Sequence, residues 1–367
     1  MPSDRTLVTE LATALGMVGA PDLADVLAAR PTSLSTLDGV TWDRLCELFT
    51  AGRHADGFAA GFANGRAFLE AGDALGGRVP RRIEWTGGQR HPGDEAVPLD
   101  LRIDHVYLVS CKYLSKVLQN AGPARLAEGL LTFRHLDDRR DWYERVAPAE
   151  YQALYRACLD ALGDHGFPAL VTDLDVADRA RLSTLLDGRT WPDGTRDEHR
   201  DFCRAVSAET ARIWNRSLRP SDREAMLWRL LRIGSAPYFV LGSDGRNSMQ
   251  LRVDTPWDWR QGYRLESFTV EAQDFGQPRV GWTAGYLDRR DGVRREVTGH
   301  VQVRWSHGRF RQRPEAKVYL DTPHAAVPAT TRFDGGAPPD VGRPGGAGAV
   351  RQAPRPARFH QAGASAA

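Results

Sequence analysis

The sequence predicts an α+β protein, and three observations predict it. A glycine-spaced helical pattern at 53–75 is followed by three short apolar runs that end at Tyr113. Residues 124–233 repeat apolar side chains at helical spacing, and beyond Gly234 the repeat changes to period two with Gly-containing turns between the runs. The expected organisation is a helical N-terminal region (1–50), a helix–strand–strand–strand–helix core (51–125), a helical region (126–233), an antiparallel β-rich part (234–325) and a disordered tail (326–367) of Gly, Pro, Ala and Arg without periodicity.

A chain of 367 residues can bury a core without disulfides or metals to staple it. At 41% hydrophobic and 26% charged residues with a formal net charge of +2, it reads as neither a disordered chain nor a strongly basic one. No run of about 18 apolar residues occurs, and Met1-Pro2-Ser3-Asp4-Arg5 lacks the pattern of a signal peptide, so a cytoplasmic protein without a membrane partner is expected. Cys46, Cys111, Cys158 and Cys203 stand singly, without the paired spacing of a zinc site, and are read as reduced thiols.

Taken in order, Leu7, Leu11 and Leu15 mark a first helix, and Thr41 is expected to cap another that carries Leu45, Leu48 and Phe49. The helix at 53–75 carries Gly57, Gly61 and Gly65; each costs about 1 kcal/mol against alanine, so a neighbour must approach that face closely. Strands follow at 79–86, 97–104 and 106–113, the last two close enough to demand a tight hairpin, then a helix through Leu114, Val117 and Leu118. Helices are expected at 126–133, 149–162, 179–186, 198–218 and 222–233, and strands at 238–241, 249–253, 263–272, 280–287, 293–305 and 316–320.

Of the 49 basic residues only Lys112, Lys116 and Lys317 are lysine. Where arginine serves as the general cation, a retained lysine suggests a task for a compact point charge. Alternation places Asp100, Arg102 and Asp104 on one face of their strand, and Ser110 and Lys112 together on the next. A carboxylate, a hydroxyl and an amine can thus converge on otherwise apolar strands. A charge there needs a partner or a purpose.

This order of a helix, a strand, a strand with Asp100 and a strand ending in Ser110-Cys111-Lys112 resembles the core of the PD-(D/E)XK nuclease superfamily, over residues 54–123 only. The resemblance implies a restriction-endonuclease-like αβββα core and Mg²⁺-dependent hydrolysis of phosphodiester bonds in double-stranded DNA, with Mn²⁺ as a possible substitute. It further implies a type II restriction or phage-defence endonuclease, acting as a homodimer and compatible with a cognate methyltransferase. Ser110 departs from the family's acid, and a hydroxyl is a weak ligand for a hard cation. Another acid must then join Asp100 at the metal: Glu84 first, Glu70 second, Asp104 third. Lys112 would orient the attacking water or stabilise developing charge. The alternative is a DNA-binding or sensing protein that keeps this fold with a degraded site.

A second constellation lies at 303–320. Arg304, His307, Arg309 and Arg311 interleave with Trp305 and Phe310, and Glu315-Ala316-Lys317 is an acid-x-lysine at a strand start. Arg304, His307, Arg309, Arg311 and Lys317 are read as DNA contacts, together with Lys116 and Asn120, with a solvated charged hairpin as the bland alternative.

Overall fold

The computed structural model describes residues 3–87, 98–113, 117–129, 141–163, 166–188, 190–243 and 248–333. It opens with α1 (Asp4–Gly16), α2 (Leu23–Ala29), α3 (Gly39–Thr50) and α4 (Ala55–Glu70). Asp38, not Thr41, caps α3: its carboxylate accepts the Thr41 amide at 2.7 Å, so the helix starts a turn-fraction earlier than expected. The neighbour demanded by the glycines of α4 is α1. A Cβ at Gly65 would stand 2.0 Å from the Thr13 carbonyl oxygen, and one at Gly61 2.8 Å from the Ala12 Cβ.

Strands β1 (Ile83–Trp85), β2 (Leu101–Ile103) and β3 (Tyr107–Tyr113) form an antiparallel meander, followed by β4 (Val117–Ala121). A helical stretch contains α5 (Trp142–Val146), α6 (Pro148–Leu162), α7 (Val176–Leu185), α8 (Arg196–Ser217) and α9 (Arg223–Leu231). Next come β5 (Tyr238–Ser243), β6 (Ser248–Val253), α10 (Pro256–Gly262), β7 (Tyr263–Asp274), β8 (Pro278–Asp288), β9 (Arg294–Arg304), β10 (Glu315–Leu320) and β11 (Thr330–Arg332). One sheet runs β1-β2-β3-β5-β6-β11, antiparallel except that β5 lies parallel to β3; the other runs β4-β10-β9-β8-β7. Helices α1 and α4 cover one face of the first sheet around Phe68, Leu101, Ile103 and Val109. The helical stretch shares a core with the second sheet around Tyr143, Phe202, Trp214 and Trp282.

The α+β class holds, and three finer expectations do not. The segment expected to close the core as a helix contains β4, because Val117–Ala121 finds an open partner in β10, and cross-strand pairing outweighs helical pattern over so few residues. Strands β5 and β6 leave the expected C-terminal β part and extend the sheet begun by β1–β3, so the parts at 51–125 and 234–325 interleave. The expected disordered tail begins with order: β11 pairs with β6, and Phe333 packs against Phe68 and Phe239. The remainder, 334–367, lies outside the described residues.

A buried carboxylate in the helical stretch gives a first test. Asp141 caps α5 by accepting the Tyr143 amide at 2.9 Å, while its Oδ2 has no hydrogen-bond partner among the described residues. Burial pushes this carboxyl up to about 6, with the Glu144 charge adding to it. The native state therefore favours the protonated form. The contribution is fully present below the unfolded value near 4 and is lost as pH rises through 6. Asp141→Asn keeps a capping oxygen without the charge. It should raise thermal stability at pH 8, by roughly 2–3 kcal/mol from that displacement, and make little difference at pH 4. Equal unfolding midpoints for the two proteins at pH 8 would remove this reading.

Candidate active site

The hairpin between β2 and β3 turns at Asp104 and His105, both left-handed at φ 48° and 59°. The Asp104 carboxylate accepts the amides of Arg81 and Arg82 at 2.9 Å each, stitching the turn to the start of β1. Asp104 is thereby committed to the turn, which excludes it as the missing acid.

Along β3 the side chains alternate. Val109 and Cys111 face α1 and α4, whereas Ser110 and Lys112 line a narrow cavity of about 40 Å³ on the other side, bounded by Leu118, Tyr238, Val240 and Leu251. That volume admits about a water or two, not a phosphodiester. Lys112 lies opposite Gly242 in the parallel ladder, where a Cβ would stand 1.9 Å from the Lys112 carbonyl oxygen, so glycine is needed for β5 to pass. Next to it the Tyr113 hydroxyl meets Thr13 Oγ1 at 2.7 Å and accepts from Asn64 Nδ2 at 3.1 Å, and Asn64 also donates to the Gly242 carbonyl at 2.8 Å. This buried network fixes α1, α4, β3 and β5 to one another.

Asp100, at the mouth of β2, is half-buried. Its Oδ2 accepts the Cys111 amide at 2.6 Å and the Ser110 hydroxyl at 3.2 Å, and among the described residues no arginine pairs with it. Asp100 is not in the wall of the Lys112 cavity; Ser110, fully buried, connects the two. The acid that shares its field comes from α1. Glu10 is 9% exposed and accepts the Trp85 indole N–H at 2.6 Å. Burial pushes its carboxyl up to about 8, the Asp100 charge pushes further, and the Trp85 hydrogen bond and the Lys112 charge oppose them. The charges of Asp100 and, from the far side of β3, Lys112 both act on the Glu10 carboxyl.

Neither acid preferred from the sequence is there. Glu84 is held on β1 by Arg82, at 2.9 and 3.1 Å, and lies 3.4 Å from His105 Nδ1. It follows Ile83 and precedes Trp85, which pack toward α1, so alternation turns Glu84 to the face away from α1, the face of Ser110 and Lys112, where Arg82 engages it. Glu70, at the exposed end of α4, pairs with Arg66 at 3.3 Å. Glu10 was missed because it lies before the stretch that carries the resemblance. Its signal was available: it stands between Leu7 and Leu11, in the apolar stripe of its helix.

The C-terminal constellation separates into parts. Arg309 is a structural clamp: Nη1 donates to the carbonyls of Leu186 and Thr190 at 2.9 and 3.0 Å, Nη2 to that of Gly188 at 3.0 Å, and the guanidinium lies 4.3 Å from the Trp191 ring centroid. Its expected role as a DNA contact is corrected accordingly, since its donors are used within the fold. Arg309→Ala should cost about 2–4 kcal/mol in chemical unfolding, because three carbonyls at the end of α7 lose their donor. A loss under about 0.5 kcal/mol would contradict the clamp. Glu315 is held by Ser306, by Asn120 Nδ2 at 3.0 Å and by Lys317 at 3.7 Å, so Asn120 and Lys317 meet each other's partner across β4 and β10 rather than standing free. Arg304, His307 and Arg311 are exposed. Lys116 lies outside the described residues.

No family model, curated protein or solved structure matches this chain. Among the described residues no helix is long and apolar enough to cross a membrane, and no group of three or more His, Cys, Asp or Glu side chains is placed to hold a metal ion. Two carboxyl groups, Glu10 and Asp100, do share a field. Among the described residues no hydrogen bond to Asp100 Oδ1 is present, and Glu10 is pushed toward its protonated form partly by its neighbour. That donor chemistry fits Mg²⁺, which is commonly held by one or two carboxylates with water and phosphate completing its shell.

Proposed function

We propose that the chain is a Mg²⁺-dependent deoxyribonuclease of the PD-(D/E)XK type, with Glu10 in the place expected for Glu84 or Glu70. The observation that carries the reading is Asp100 on β2 held by Ser110 and the Cys111 amide, one residue before Lys112, with the buried Glu10 carboxyl close enough to feel the Asp100 charge. Helix α4 packed on the β1–β2–β3 meander supports it as well. Asp100 and Glu10 would hold the cation, which would supply positive charge to the scissile phosphate. Lys112 lies across β3 from them in a cavity too small for a phosphate, and would act on the site through its charge. The hydrogen bonds from Cys111 and Ser110 fix Asp100 and leave Oδ1 for the ligand. Ser110 would act as a positioning residue, its hydroxyl donating to Asp100.

A second reading, DNA binding without cleavage, is favoured by the narrow, mostly apolar cavity beside Lys112. Incubation of plasmid DNA with protein and Mg²⁺, beside a gel-shift assay, separates them. Nicking that disappears in Asp100→Asn supports the nuclease. A shifted band without nicking supports the binder, and neither signal removes both.

A further inference from the structure

A larger cavity, of about 330 Å³, opens where α7, α8 and the end of β9 meet. Its wall is aromatic: Trp191 and His199 lie 4.4 Å apart at 33°, Phe202 and Trp305 are stacked at 5.9 Å and 10°, and Trp191 stands 6.3 Å from Trp305. The Trp305 indole Nε1–H is buried without an acceptor among the described residues. Arg304 and Arg309 stand at the same cavity, Arg309 spent on carbonyls and Arg304 exposed at the end of its strand. An aromatic cage can also receive an organic cation, but two guanidinium groups against the single carboxylate of Asp187 disfavour one. A planar, neutral ring linked to an anion satisfies both the walls and the rim.

We infer that this cavity binds a nucleobase against its aromatic wall of Trp191, His199, Phe202 and Trp305, with the attached phosphate on Arg304. Burial and the Arg309 charge hold His199 neutral, pushed down to about 4, so at neutral pH it adds no charge to the wall. The size suits a single base with its sugar, within the usual range for small-molecule sites. A base reaches such a pocket only when it is unpaired or swung out of a duplex.

The cavity is also connected to the candidate active site. Leu118 on β4 and Leu320 on β10 border the Lys112 cavity, and at the other end of the same strand pair Ala121 lies opposite Ala316, which lies opposite Val303 in the wall of the aromatic cavity. From Val117 to Ala121 the separation along β4 is about 13 Å. The assignment of DNA as the source of the base rests on the function proposed above; binding of a base does not.

Tryptophan fluorescence should be titrated with the four deoxynucleoside monophosphates, with inorganic phosphate, and with a short duplex carrying one unpaired 2-aminopurine, without added metal. The expected result is quenching by at least one nucleotide and by the duplex, none by phosphate alone, and a tenfold or greater weakening in Trp191→Ala and in the exposed-site variant Arg304→Ala. Lys112→Ala should bind as tightly as wild type, so failure of the nuclease reading leaves this result intact. Quenching by free nucleotide but not by the duplex would overturn DNA as the source. No quenching by any nucleotide, or equal affinity in Arg304→Ala and Trp191→Ala, would overturn the pocket itself.

Discussion

Replacement of Lys112 by alanine should lower cleavage of plasmid DNA in Mg²⁺ by about 10²–10³-fold, the usual cost of removing one group that stabilises transition-state charge. The fold should survive, because Lys112 makes no ion pair or side-chain hydrogen bond among the described residues and fills only part of a small cavity. Lys112→Arg should not restore the rate. The planar guanidinium is larger and directs its charge differently from an ammonium, and the cavity is closed by Leu118, Tyr238 and Val240. Glu10→Gln should show a similar loss, while Glu70→Gln should cleave like wild type, since Glu70 is paired with Arg66 on the surface. Normal cleavage by Glu10→Gln would remove Glu10 from the site.

Gly65→Ala tests the architecture that delivers Glu10. By helix propensity alone the change should stabilise by about 1 kcal/mol. Contact geometry opposes this, because the new Cβ would lie 2.0 Å from the Thr13 carbonyl oxygen and its neighbour Gly16 Cα stands 2.9 Å away. These are backbone atoms with no rotamer to relieve the clash, and overpacking of this kind costs about 1–3 kcal/mol or more. The clash should win, giving a net loss of about 2 kcal/mol or more in denaturant unfolding, and any α1 that shifts to make room carries Glu10 and Thr13 with it. The exposed Ala59→Ser on the same helix should change stability by less than about 0.5 kcal/mol. A Gly65→Ala protein as stable as wild type would mean that α1 and α4 do not meet as described.

Much of this was legible in the residues. Period-two runs between 238 and 320 located β5 to β10 to within a few residues, and the glycines of α4 announced a close neighbour without identifying it. What the local pattern could not carry was pairing. Val117 and Leu118 fit a helix equally well until β10 offers them an edge, and nothing in 238–253 states that those strands belong beside β3. The candidate site divides in the same way. Asp100, Ser110 and Lys112 were readable because alternation along two adjacent strands is local, and the hydrogen bond from Ser110 to Asp100 is the outcome. Glu10 was not, because its nearness to Asp100 depends on the packing of α1 against α4. Arg309 misled for a related reason: its basic, aromatic-flanked setting describes a phosphate contact and a carbonyl clamp equally, and only the course of the chain after α7 decides.

The most direct test of the shared site is the titration of the Glu10 side-chain carboxyl, followed by carbon NMR in wild type, Asp100→Asn and Lys112→Ala. In wild type the midpoint should lie near 8. It should fall when the Asp100 charge is removed and rise when the Lys112 charge is removed, two displacements of opposite sign from substitutions on adjacent strands. An ordinary carboxyl midpoint in wild type, or one that neither substitution moves, would contradict the placement of Glu10, Asp100 and Lys112 in a common field.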